Sequence, residues 1–151
     1  MAATPDEDVL HSAGYLLMKA GHYIGIEIEA ALEGLGLTAR EFLVLSFVRS
    51  HDGLSQQQLS ERLNLDPTIV VGLIDSLEER ELMVRRKDPT DRRRNVLALT
   101  PNGVALHDRA TAAAGATEDA FLGELSPRGR GEFREALRTI LAARLPWLSG
   151  G

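Results

Sequence analysis

Apolar residues recur at helical spacing over most of the chain and alternate at strand spacing in one short stretch. Leu17, Ile24, Ile28, Ala31 and Leu35 share one stripe of a helix predicted from about Val9 to Leu35, ended by Gly34 and Gly36. A second helix, from about Ala39 to Arg49, turns Phe42, Leu45 and Val48 inward, and Asp52-Gly53 closes it. A short third helix runs from Gln56 to about Leu63 with Leu59 and Leu63 inward, and Asn64-Leu65 makes a tight turn. The next segment, from about Pro67 to Leu82, contains the β-branched run Thr68-Ile69-Val70-Val71, which suits a strand. A helix is favoured because Pro67 belongs at a helix start, Val70, Leu73, Ile74 and Leu77 share a helical stripe, and Ser76 to Glu81 is rich in helix formers.

Two strands follow, Val84 to Lys87 and Asn95 to Thr100, joined by the charged loop Asp88 to Arg94. In the second strand Val96 and Ala98 alternate against Leu97 and Leu99, so the pair reads as a hairpin. The last third is helical: about Pro101 to Leu125, with an Ala-rich middle, then about Pro127 to Leu145, with Phe133, Leu137, Ile140, Leu141 and Leu145 on one side. Helix starts are also legible from capping chemistry. Asp66-Pro67, Thr100-Pro101 and Ser126-Pro127 each place a capping oxygen before a proline whose missing N–H costs nothing. Thr38 with Glu41, and Ser55 with Gln58, form capping boxes.

The fold class is therefore mainly α with a small β-wing. A short helix, a tight turn, a helix and a basic hairpin, in that order, make a winged helix-turn-helix, in which the second helix enters the major groove of DNA and the hairpin reaches an adjacent minor groove. Net charge does not point to nucleic acid, because the chain carries −5. Its distribution does. Arg85, Arg86, Lys87, Arg92, Arg93 and Arg94 against Asp88 and Asp91 make the segment 85–94 +4, leaving −9 on the rest. On the groove-entering helix, Thr68, Val71, Gly72 and Asp75 form the outer face. Thr68 can reach a phosphate or base edge, Val71 a thymine methyl, and Gly72 permits close approach. Gln56 and Gln57 are placed to donate to backbone phosphates. No Arg, Lys, Asn or Gln stands on that outer face, so base reading by this helix is expected to be modest.

The run Asp88-Pro89-Thr90-Asp91-Arg92-Arg93-Arg94-Asn95-Val96-Leu97-Ala98-Leu99-Thr100-Pro101-Asn102-Gly103, with Leu73 to Arg86 before it, resembles the wing signature of the MarR (multiple antibiotic resistance regulator) family. The resemblance covers about Thr38 to Gly103 strongly, and the flanking helices in length and order. It implies that Asp91 holds the wing in shape while Arg93 enters the minor groove. It also implies that the first and last helices of two chains interleave as a dimer, with residues 1–36 and 101–151 serving dimerisation and 37–100 serving DNA binding. Val71 and Gly72 stand where family members often carry a hydroxyl residue and an Arg, and Glu81 stands where a Gly usually precedes the first wing strand. Family members often bind a small aromatic or phenolic anion between the first, second and fifth helices. In this chain Tyr15, His22, Tyr23, Arg40 and Arg49 are the candidates; the alternative is that they are polar residues at the core edge.

Other features narrow the choice. The chain has no cysteine, which excludes disulfides and thiolate chemistry. No cofactor is implied, and His11, His22, His51 and His107 lack the close spacing of a zinc site. No nucleophile–base pairing, P-loop or dinucleotide fingerprint points to an enzyme. Gly21 and Gly25, four apart, suit close helix packing in a dimer, and Trp147 and Leu148 are expected to need a partner surface. No apolar run is long enough for a membrane span, and the acidic start lacks the features of a secretory signal, so a cytoplasmic location is expected. The rival to a DNA-binding repressor is a winged-helix module that binds only protein, for which three successive arginines at the wing tip have little use.

Overall fold

The computed structural model describes residues 5–149. Its elements are α1 (Pro5–Leu10), α2 (Ala13–Glu33), α3 (Ala39–Ser50), α4 (Gln56–Leu63), α5 (Pro67–Glu79), β1 (Met83–Lys87), β2 (Asn95–Leu99), α6 (Pro101–Phe121) and α7 (Pro127–Ala142), then a 3₁₀ turn at Pro146–Ser149. The strands pair antiparallel with Met83 opposite Leu99 and Lys87 opposite Asn95. The segment Thr68–Val71 is helical, as its proline and apolar spacing require: Asp66 caps the helix, its carboxylate accepting from the Thr68 N–H at 2.7 Å.

One departure lies at the start. The helix expected from about Val9 is interrupted at His11-Ser12, where Ser12 caps α2 by accepting from the Tyr15 N–H at 3.2 Å. A Ser with Tyr three residues on, rather than Glu or Gln, forms half a capping box and is easily overlooked.

The core sits in the lobe from α3 to β2. Leu45, Leu59, Val70, Ile74, Leu77 and Met83 are buried there, joined by Leu32 of α2 and Ala110 of α6. Glu41 is buried among them with its charge matched. Its carboxylate accepts from the Thr38 N–H (3.0 Å), the Ser76 hydroxyl (3.1 Å) and the Arg80 guanidinium (3.3 Å). Arg80 also donates to the Gly36 carbonyl at 2.6 Å, so the end of α5 is tied to the turn between α2 and α3. At the start of α6, a Cβ on Gly103 would lie 1.9 Å from the Leu82 carbonyl oxygen, so only glycine allows α6 to sit against the entry to β1. Trp147 does not wait for a partner chain: its ring packs edge-on against Phe47, centroids 4.8 Å apart. Among the described residues no helix is long and apolar enough to cross a membrane.

Candidate nucleic-acid interface

The helix-turn-helix is fixed locally by short-range polar chemistry. Ser55 and Gln58 close the capping box of α4. Asn64 ends α4 in the left-handed region (φ 50°), and the Ser60 hydroxyl donates to the Leu65 carbonyl at 3.0 Å, which sharpens the turn into α5. Two grooves border the first turn of α4. One, of about 680 Å³, runs past Gln56, Gln57 and Asn64 to Pro67; the other, of about 410 Å³, runs past Gln56 and Gln57 to Arg85, Arg94 and Asn95. Gln56 and Gln57 therefore stand between the start of α5 and the base of the wing. On α5, Thr68, Ile69, Gly72 and Asp75 are exposed and Val71 is half-buried.

The wing is held by two aspartates. Asp91 accepts from the Arg93 N–H at 3.0 Å through its carboxylate, while its carbonyl accepts from the Arg94 N–H at 2.9 Å. It thus shapes the loop through backbone, not by pairing with an arginine side chain. The acid that faces an arginine is Asp88. It is buried, accepts from both the hydroxyl (2.7 Å) and the N–H (2.8 Å) of Thr90, and has the Arg94 guanidinium 3.8 Å away. The Thr90 hydroxyl first, then the Thr90 N–H, with the positive Arg94 adding to them, hold the Asp88 carboxyl below its ordinary pKa. Asp88 was absent from the sequence-derived site; the legible signal was an Asp with a Thr two residues on, a side-chain-bonded turn.

Arg85 is engaged inside the protein. Its guanidinium pairs with Glu78, with Asp75 at 2.9 Å and with Gln56 at 3.3 Å, and its N–H donates to Glu78 at 3.0 Å. Charge alone marks Arg85 as a phosphate contact; the geometry makes it the tie between wing, α5 and α4. Among the described residues, Arg86, Lys87, Arg92 and Arg93 form no ion pair, and all are exposed. Arg94 is exposed beside Asp88.

The effector candidates are more scattered. Tyr15 is half-buried with the Lys19 ammonium 5.7 Å from its ring, and His22 meets Tyr23 edge-on at 5.3 Å, both exposed. Arg40 and Arg49 are exposed near opposite ends of α3. An apolar cavity of about 410 Å³ lies nearby but is lined by other residues, among them Leu17, Gly21, Ile24, Phe121, Phe133 and Leu137 of α2, α6 and α7. His107 bridges α3 and α6 instead, with its Nε2 3.1 Å from the Ser46 hydroxyl and its ring stacked on Phe42.

A recognition helix, a capped turn before it and a cationic hairpin after it define a winged-helix DNA-binding protein. The MarR family profile matches residues 37–94. The chain is 31% identical to the HTH-type transcriptional repressor Rv2887 of Mycobacterium tuberculosis over 127 residues, 84% of this chain and 91% of that protein. The structure of that protein in complex with DNA superposes with a TM-score of 0.75 at 29% identity, covering 85% of this chain and 97% of the other. It is also known in complex with salicylic acid (TM-score 0.72, 30% identity, 85% and 96% covered). CouR from Rhodococcus jostii RHA1, bound to p-coumaroyl-CoA, superposes with a TM-score of 0.76 at 31% identity, covering 92% and 95%. The chain belongs to the MarR family of winged helix-turn-helix transcription regulators. It is a DNA-binding regulator, not an enzyme.

Proposed function

We propose that the chain is a dimeric cytoplasmic repressor that occupies a palindromic promoter site and is released by a small aromatic anion. The observation that carries this reading is the continuous surface of α4's first turn, the outer face of α5 and a wing tip whose Arg92 and Arg93 are free of internal pairing among the described residues. In this arrangement Gln56, Gln57 and Arg94 contact phosphate, Thr68, Val71 and Gly72 meet the major groove, and Arg92 and Arg93 reach the minor groove, with Arg86 on β1 of the same wing adding positive charge. Arg85 and Asp75 hold that surface in register.

Dimerisation rests on α1, α2, α6 and α7. Val9, Leu16, Met18, Ile26 and Ile140 are exposed there, an apolar surface that a second copy would cover. The effector reading rests on two relatives known in complex with aromatic compounds, salicylic acid and p-coumaroyl-CoA, together with Tyr15, His22, Tyr23, Arg40 and Arg49 on α2 and α3. An effector there would alter the spacing of the two recognition helices, which must match half-sites about 34 Å apart.

Titration of the DNA upstream of the chain's own gene tests this. Affinity falls steeply with salt, as counterion release requires. Arg93→Ala weakens binding by about 1–3 kcal/mol. Asp91→Ala also weakens it, although it removes a negative charge beside DNA, because the Arg93 N–H loses its acceptor. No binding at low salt would overturn the reading; tighter binding by Asp91→Ala would overturn the role given to Asp91.

A further inference from the structure

Several polar groups around the outer face of α5 are tied within the protein through part of their hydrogen-bonding capacity. Asp75 and Gln56 are both held by Arg85, at 2.9 and 3.3 Å, Gln57 donates to Glu61 at 3.2 Å, and Ser76 on the flank donates to Glu41 at 3.1 Å. No Arg, Lys, Asn or Gln occurs between Pro67 and Glu79, so the helix has no side chain suited to bidentate pairing with a guanine or adenine edge. Its first two turns present apolar surface instead: Ile69, 43% exposed, half-buried Val71 and the methyl of Thr68. At 100° per residue, Ile69 and Val71 flank the line through Thr68 and Gly72 on opposite sides, so they address different base steps. Between them a Cβ on Gly72 would meet nothing within 4 Å, leaving open space through which the backbone can approach the groove floor.

We propose that α5 reads its half-site through thymine C5-methyl groups, one seated against Ile69 and another against Val71, with Gly72 setting the close approach. The C5-methyl of thymine is the one apolar group that an unmodified base pair offers in the major groove. This readout rests on α5 being the groove-entering helix and adds Ile69 as a specificity-determining residue.

The test replaces thymidine with deoxyuridine, one position at a time, in a duplex carrying the footprinted site upstream of the chain's own gene. Uracil pairs as thymine does and lacks only the major-groove methyl, so the wing's minor-groove contacts do not register the change. At two or more positions in each half-site the substitution weakens binding about fourfold, the equivalent of about 0.8 kcal/mol for one buried methyl. Ile69→Ala removes the thymine–uracil difference at one of those positions and Val71→Ala at another, while each variant still binds the uracil duplex. Equal affinity for all uracil duplexes, with the natural duplex still bound, overturns the methyl readout and leaves the DNA-binding function standing. A difference that persists unchanged in both variants overturns it as well, because the methyl effect would then belong to the DNA. Failure to bind even the natural duplex removes the function and this inference together.

Discussion

In the lobe from α3 to β2, Leu45, Leu59, Val70, Ile74 and Leu77 have no exposed surface; in α7 no residue is buried, and Ile140 is 51% exposed. Both regions show the same apolar helical periodicity, and only the stripes of the lobe are fully buried within the chain. The lobe closes on itself, with two capping boxes, a buried Glu41 that is fully hydrogen-bonded, and a sheet edge where the Leu97 N–H donates to the Leu54 carbonyl at 2.9 Å. The terminal helices pack on the lobe through α2 and α6 and leave a second apolar face uncovered. A periodic stripe reports that burial will occur, but not whether within one chain or between two.

The sharpest way to break this contrast is a pair of substitutions. Leu45→Ala leaves a cavity in the lobe and lowers the unfolding free energy by about 2–5 kcal/mol, by the same amount at every protein concentration. Ile140→Ser removes surface that the lobe does not use; on the proposed dimer it weakens the contact between copies, so its effect on urea unfolding is largest at high protein concentration and shrinks on dilution, where wild type and variant are both monomers. A concentration-independent loss for Ile140→Ser would place that residue in the core of a single chain.

A smaller effect of opposite sign is expected at the joint between α5 and the wing. Glu81 has φ 56°, a left-handed conformation that costs a residue with a Cβ about 1–2 kcal/mol. Its carbonyl still accepts from the Thr100 hydroxyl at 2.6 Å, a contact that does not depend on the side chain. Glu81→Gly relieves the strain and gives back part of the gain through the looser unfolded chain, for a net stabilisation of about 0.5–1 kcal/mol by thermal melting. Destabilisation would show that the Glu81 side chain holds the turn.

The smallest effect concerns the wing alone. Because Asp88 has its carboxyl pKa lowered in the folded state, its contribution to stability is present above the unfolded value, about 3.9, and is lost as pH falls through the folded one. Unfolding of the wild type and of Asp88→Asn therefore differs at about pH 5 and converges in stronger acid. Curves that stay parallel through the acid range would show that the Thr90 hydroxyl and N–H do not favour the charged form of Asp88.

The order of elements, the caps and the basic hairpin were legible because each depends on residues a few positions apart. Asp66-Pro67 fixes a helix start against a β-branched run, and Ser55 with Gln58 fixes another. What the sequence concealed involves side chains distant along the chain. Arg85 and Arg93 look alike in a string of six basic residues, yet Glu78, Asp75 and Gln56 converge on one, and only a backbone turn supports the other. Trp147 is an apolar residue near the end of the sequence, and only the fold brings it against Phe47.

The sequence by itself determined the class of fold, the place of the wing and the family, because local propensity, capping and periodicity act over a turn or two of chain. Tertiary structure decided which charges are free. A guanidinium reaches about as far as its side chain, so whether it meets a carboxylate or solvent depends on which elements fold beside it. That is why the wing's net charge could be counted from the sequence, while its division between internally paired and unpaired cations could not.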